Sequence, residues 1–152
     1  MDARRIPFRD AFDVVGAFDV IEHMEEDDQA LRQMFAACRS GGGIVLTVPQ
    51  HAWLWSARDE LAGHQRRYGR AELLRKLSAA GFERAWATSF VTLLLPLMAL
   101  SRLQKHARES EMRPGRVANA VLGAFMHLER GLIAAGLSLP AGGSLLAVAH
   151  KP

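Results

Sequence analysis

The stretch 12–49, FDVVGAFDVIEHMEEDDQALRQMFAACRSGGGIVLTVP, limits what this chain can fold into more than any other. Residues 12–18 are short, apolar and rich in Val and Phe, as a strand covered on both faces requires. Asp27 and Asp28 stand where a helix N-cap belongs. Behind them Leu31, Met34, Phe35 and Cys38 recur at helical spacing on one face. Gly41 is placed to end that helix in a left-handed turn. Residues 44–48 are again β-branched and apolar, and Pro49 closes them. Strand, crossover helix and second buried strand make a βαβ unit and predict an α/β fold with a parallel pair. Ligands of such sheets gather beyond the carboxyl ends of the strands. Here those ends carry Asp19, Glu22 and His23 after the first strand, and Gln50, His51, Trp53 and Trp55 after the second. The downstream acids Glu25, Glu26, Asp27 and Asp28 have an alternative explanation as favourable charge at a helix N-terminus.

The run Asp2-Ala3, Pro7-Phe8, FDVVGAFDVIEH and SGGGIVLTVPQH, followed by AELLRKLSAAGF, resembles the class I S-adenosylmethionine-dependent methyltransferases, and within them the type 11/12 small-molecule group. The resemblance runs from Asp2 to about Phe82 and resumes at 144–150. It implies a partial Rossmann-like sheet with family strands 4-5-7-6, the last antiparallel, and S-adenosyl-L-methionine as cofactor. Asp2 and Ala3 then match the pair that meets the adenine, and Phe18 and Asp19 lie where the family's chain passes along the cofactor. The glycine-rich cofactor loop of the family has no counterpart here. The cluster Gly41-Gly42-Gly43 lies between helix and strand, the reverse of the order such a loop needs, and reads as a turn. The expectation is therefore a single, incomplete methyltransferase domain over 1–152, the C-terminal portion of a larger protein and inactive by itself. Its first strand would be an exposed apolar edge, prone to self-association.

The segment after Pro49, HAWLWSARDELAGHQRRYGR, resembles the family's variable insertion over the methyl-acceptor pocket. Trp53, Trp55, His64, Arg67 and Tyr68 are the substrate-binding candidates, with Arg66 and Arg67 able to grip a phosphate or carboxylate. The alternative is a solvated loop whose aromatics tuck into the core. Methyl transfer needs alignment of nucleophile, methyl and leaving sulfur, and a base only where the acceptor holds its proton. His23 and His51 are the candidate bases, since imidazole titrates near neutrality. Asp19, Glu22 and His23 also resemble an acidic-plus-His cluster that holds a divalent ion in some quinone-precursor O-methyltransferases. Spacing does not decide that point, and no metal ligand is assigned.

Further on, 70–80 reads as an amphipathic helix with Leu73, Leu74 and Leu77 inward and Gly81 as its cap, and 82–90 as a strand with Trp86 and Thr88 on one face. A helical insertion, 91–136, precedes the last strand. Its first part, 91–103, is apolar nearly all round but short of the ~20 residues of a membrane span. Its second, 116–135, carries Val117, Val121, Phe125, Leu128 and Leu132 on one stripe. Both helices are expected to close over the sheet and the acceptor pocket. The competing reading is an interfacial helix at 91–108, with Arg102, Lys105 and Arg108 beside an apolar face, lying on anionic lipid. With 152 residues, 49% hydrophobic and 23% charged, the chain is an ordinary globular domain. Its net charge of +3 is too modest to indicate a nucleic-acid partner. The single cysteine excludes an internal disulfide, and together with a charged N-terminus lacking a signal peptide points to the cytoplasm, with the inner membrane face as a peripheral seat. The function expected is methyl transfer to a small-molecule, hydrophobic or lipid-linked acceptor in the full-length protein. The alternative is a non-catalytic truncated fragment, or an interaction or membrane-surface module.

Overall fold

The computed structural model describes residues 2–103 and 115–152. Among them one sheet forms from β1 (Phe12–Phe18), β2 (Cys38–Pro49), β3 (Glu83–Phe90) and β4 (Ser144–His150), in the order β1-β2-β4-β3. β1 runs parallel to β2, with Phe18 opposite Thr47, and β4 lies antiparallel to both β2 and β3. This is the expected 4-5-7-6 arrangement. The helices are α1 (Asp27–Ala37), α2 (Ala57–Ala62), α3 (Arg70–Ala79), α4 (Leu95–Leu103) and α5 (Arg116–Ala134).

The period-2 alternation of the strands sorts their side chains into two unlike faces. Ala17, Ile44, Leu46, Val48, Leu145 and Ala147 are buried on the face packed by α1 and α3, where Leu31, Met34, Leu73, Leu77 and Phe82 complete the core. Phe82 also meets Phe35 edge-on, at 5.1 Å between ring centroids. The opposite face leaves Phe12, Val14, Phe18 and Trp86 exposed. β1 is thus an apolar edge strand in which only Ala17 is buried, and the two-sided cover its composition suggested is missing.

Several local expectations are corrected. α1 ends without a left-handed turn: Cys38 is already extended, at φ −70° and ψ 145°. Gly41 does have φ 80°, but inside β2, where the pairing of Phe12 with Cys38 slips to Val14 with Gly43. The glycine run is a strand irregularity rather than a turn. A Cβ on Gly42 would come within 2.5 Å of the Asp13 carbonyl oxygen, and one on Gly43 would strike that of Ala149. Glu26, not Asp27 or Asp28, is the cap residue of α1. Asp27 is drawn inward instead, to the Tyr68 hydroxyl at 2.8 Å and Lys76 Nζ at 2.9 Å.

α5 packs with a different face from the one its hydrophobic pattern suggests. Val121, Phe125 and Leu128 point to solvent, whereas Met126 and Ile133 turn toward Thr47, Phe90 and Leu146 of the sheet. The buried Glu129 explains this, because its carboxylate accepts the Thr92 backbone N–H at 2.9 Å and pins that side of the helix to the end of β3. The Val117 and Arg102 side chains, and Lys105 and Arg108 altogether, lie outside the described residues. No described helix is long and apolar enough to cross a membrane.

The two faces should respond differently to truncation. Leu77→Ala, deep in the core, is expected to lower the free energy of unfolding by about 2–5 kcal/mol. Leu128→Ala, on the outward side of α5, should change it by less than about 0.5 kcal/mol. Urea denaturation of both variants checks this, and equal losses would show that the outward face of α5 is packed.

Candidate active site

β1, β2 and β3 all run the same way, so their carboxyl ends share one edge of the sheet. Each end is followed closely by a non-glycine residue in the left-handed region: Asp19 at φ 51°, His51 at φ 62° and Val91 at φ 59°. Such conformations cost of order 1–3 kcal/mol each and gather where a site over-determines the backbone. For Val91 the branched side chain makes the conformation rarer still.

At the end of β1, Phe18 and Asp19 are exposed. The Asp19 backbone N–H donates to the Thr47 carbonyl at 3.0 Å, and the Thr47 hydroxyl donates to Asp19 Oδ1 at 3.2 Å. The next turn buries Glu22 completely, and neither of its carboxylate oxygens has a hydrogen-bond partner among the described residues. Burial, with Asp19 nearby, pushes its pKa up. His23 is exposed, its Nδ1 lies 3.3 Å from the Gly63 carbonyl oxygen, and its ring meets that of His64 edge-on at 4.7 Å.

At the end of β2, the His51 ring lies 5.4 Å from that of Trp53, and its Nε2 is buried without a partner among the described residues. Burial, and then the Arg67 cation, depress its pKa. Trp53 is exposed, whereas Trp55 is half-buried and donates through Nε1 to Glu60 at 3.4 Å.

The loop from His51 to Gly69 is fastened by two buried carboxylates. Asp59, 1% exposed, accepts Arg67 Nε at 2.8 Å, Arg67 NH2 at 3.0 Å, the Ser56 hydroxyl at 3.0 Å and His64 Nδ1 at 2.9 Å. Arg67 NH1 also donates to the Gln50 carbonyl at 3.1 Å, next to His51. Tyr68 is wholly buried, and its hydroxyl donates to Asp27 Oδ2 at 2.8 Å, with the Ile21 carbonyl oxygen 3.2 Å away. Burial, then Asp27, raises its pKa. Arg67 and Tyr68 therefore hold the loop in place rather than standing open to a ligand. His64 and Trp55 stand part-way, and Trp53 is open. Asp2 lines a cavity of about 370 Å³ together with His23 and Gln65. The Asp2 carboxylate is held by Arg4 at 3.0 Å, which also lowers its pKa, and Ala3 packs half-buried against the core.

Sequence reasoning missed Asp59, Glu129 and the walls of a cavity of about 430 Å³ between the sheet and α5. Thr47, Phe90, Met126, Ile133 and Leu146 form most of that wall, so the cavity reaches the residue that bonds Asp19. Asp59 had a signal, since Ser56 just before α2 and Asp59 in its first turn stand three apart, as a capping box requires.

The Asp59 cluster makes acid stability testable. Burial alone would raise this carboxyl, but the Arg67, His64 and Ser56 hydrogen bonds overcome it and hold the pKa at about 2. Against an unfolded value of about 3.9, the depressed native pKa contributes roughly 2–3 kcal/mol. That contribution is complete above about pH 4 and lost as pH falls toward about 2. Urea unfolding as a function of pH should show this loss in the parent chain and a flatter profile in Asp59→Asn.

Comparison with known proteins agrees with this layout. A family model described as a methyltransferase domain matches residues 3–85. A probable S-adenosylmethionine-dependent methyltransferase of Mycolicibacterium smegmatis is 36% identical over 81 residues, which is 51% of this chain and 32% of that protein. Ajmaline N-methyltransferase of Rauvolfia serpentina is 27% identical over 139 residues, 86% of this chain and 45% of that one. Phosphoethanolamine N-methyltransferase 2 of Haemonchus contortus, solved with S-adenosyl-L-methionine, superposes with a TM-score of 0.59 at 18% identity, over 99% of this chain and 36% of that chain. The chain thus spans less than half the length of the curated relatives it matches. With more than half of its residues inside the family match and its sheet in the family's strand order, this chain belongs to the class I S-adenosylmethionine-dependent methyltransferases.

Proposed function

We propose that the chain forms the acceptor side of a methyl-transfer site and takes a small molecule with an apolar body. The observation that carries this is the cavity of about 430 Å³ under α5, whose wall includes Thr47, the residue hydrogen-bonded to Asp19 at the strand ends. That volume suits a small-molecule site, and Phe90, Met126, Ile133 and Leu146 favour an apolar ring or short chain over a sugar or nucleotide.

S-adenosyl-L-methionine supplies an activated methyl group on a sulfonium, a reaction that asks the protein chiefly for alignment. The positions this chain provides fit one wall of its site: Phe18 and Asp19 stand exposed at the end of β1, and Asp2 and Ala3 are the further candidates. The glycines at 41–43 are needed inside the sheet instead, Gly42 and Gly43 for close backbone contacts and Gly41 for its positive φ. His51 is the base of choice. Its depressed pKa keeps the imidazole neutral near pH 7, and the unpartnered Nε2 can accept a proton from an acceptor hydroxyl or ammonium. His23 is the weaker candidate, with its Nδ1 turned to Gly63 and its ring against His64.

In the whole protein, His51→Gln should lower kcat by about 10²–10⁴-fold for an acceptor that must lose a proton. The acid limb of the parent's pH–rate profile should lie below the ordinary histidine value of about 6.5, and the variant should lack it. An unchanged profile would remove His51 from the chemistry.

A second reading, an interaction module, is favoured by the unpaired β1 edge and the exposed Phe12, Val14 and Phe18 beside it. Such an edge templates pairing with another strand. Sedimentation of the chain by itself should then show concentration-dependent association that Val14→Lys suppresses. A monomer at every concentration would count against this reading.

A further inference from the structure

Building on the acceptor cavity assigned above, we propose that its guest carries an ammonium group on the apolar body, and that Glu129 is the residue that selects it. Glu129 is 1% exposed, yet it lines the cavity beside Phe90, Met126, Ile133 and Leu146. Among the described residues it is the one buried acid in that wall.

Three observations lead from this acid to a cation. The first is a missing counter-charge. Asp27 and Asp59, also buried, are each met by a basic side chain, Lys76 on one and Arg67 on the other. Glu129 has no such partner among the described residues. Both its oxygens share a single donor, the Thr92 backbone N–H, at 2.9 and 3.2 Å. An ionised carboxylate has room for about four donors, and a charge buried without a partner is costly. The second is Thr92 Oγ1, on the residue whose amide meets Glu129. It too is buried without a partner among the described residues, so a second acceptor beside the carboxylate awaits a donor. The third is the rest of the wall. Phe90, Met126, Ile133 and Leu146 offer nothing that competes for a guest's N–H groups, and Thr47 gives its hydroxyl proton to Asp19. A few fixed polar groups in an apolar pocket are what orient and select a ligand, and an ion pair gains strength in such surroundings. His127 and Arg130 complete the lining, but both are exposed, so water screens any charge they carry.

Three probes with one apolar body test the choice: phenylbutylamine, phenylbutanol and phenylbutyrate, each titrated by calorimetry into the whole protein at neutral pH. The amine is expected to bind at least about 10-fold more tightly than the alcohol, and the acid more weakly than either. Glu129→Gln keeps an oxygen for the Thr92 amide and loses only the charge. It should therefore erase the amine's advantage and leave the alcohol's affinity unchanged, whereas a purely structural Glu129 would shift all three probes alike or none. Met126→Trp, which crowds the cavity, should weaken all three. Should the alcohol bind there as well as the amine, the acid bind best, or a folded Glu129→Gln protein keep the preference, the selection of a cation is overturned while the apolar cavity stands. Should no probe bind, or Met126→Trp weaken none, the cavity reading falls and this inference with it. The comparison of probes in the parent protein decides the matter even where a variant fails to fold.

Discussion

The parallel pairing of β1 with β2 is the constraint on which the rest depends. Phe18 lies opposite Thr47, so the two chains leave the sheet side by side and in the same direction. Parallel neighbours cannot be joined by a tight turn, and the connection must cross over as a helix. α1 serves that purpose, and its Leu31 and Met34 are buried in the same core as Ile44 and Leu46. A slip of one residue would exchange the buried and exposed sets of the strand that moved. It would also part the Thr47 hydroxyl from Asp19. One register therefore sets both the core and the first contact of the site.

Holding the loops above that edge requires charge inside the protein. Asp27 and Asp59 are each almost wholly buried, and each gathers several donors: Tyr68, Lys76 and Arg66 on one, Arg67, His64 and Ser56 on the other. Buried ion pairs add little net stability compared with apolar packing, but removing one partner leaves a charge stranded at a cost of about 3–5 kcal/mol. Their contribution here is to fix position. Arg67 ties Asp59 to the Gln50 carbonyl, beside the strained backbone of His51, and Tyr68 ties the same loop to Asp27 on α1. Residues that read in the sequence as ligand-facing are thus the fastenings of the loop that carries His51 and Trp53.

What the sequence disclosed follows from how local its causes are. The strands, α1, α3 and their order could be read because hydrophobic period, flanking turns and a family resemblance all agreed over 12–82. The strand ends where Asp19 and His51 sit were legible for the same reason. The inward side of α5 was not, because its apolar stripe is genuine but loses to one long-range contact, Glu129 with the Thr92 amide. No pattern within the helix reports that contact. The glycines at 41–43 misled for a related reason: a helix terminator and a strand irregularity ask for the same residue, and only the neighbouring Asp13 and Ala149 carbonyls decide between them. Glu22 was visible as an acid near a strand end, but its complete burial beside two histidines depends on a loop more than forty positions away in His64.

Fold alone does not assign chemistry, since one scaffold carries many reactions, so the functional weight falls on how the edge is built. Three strand ends there adopt a conformation that side-chain-bearing residues avoid. That strain persists only because surrounding contacts enforce it, and the contacts are the ones just described: Thr47 with Asp19, Gln50 with Arg67, and Glu129 with the amide beside Val91. Each lies between a strand and the loop or helix that follows it. Replacing them by apolar packing could stabilise the chain, yet it would release Asp19, His51 and the wall of the cavity together. The polar groups buried at this edge are therefore best understood as the means by which a mostly apolar pocket and a neutral imidazole are kept at the same end of one sheet.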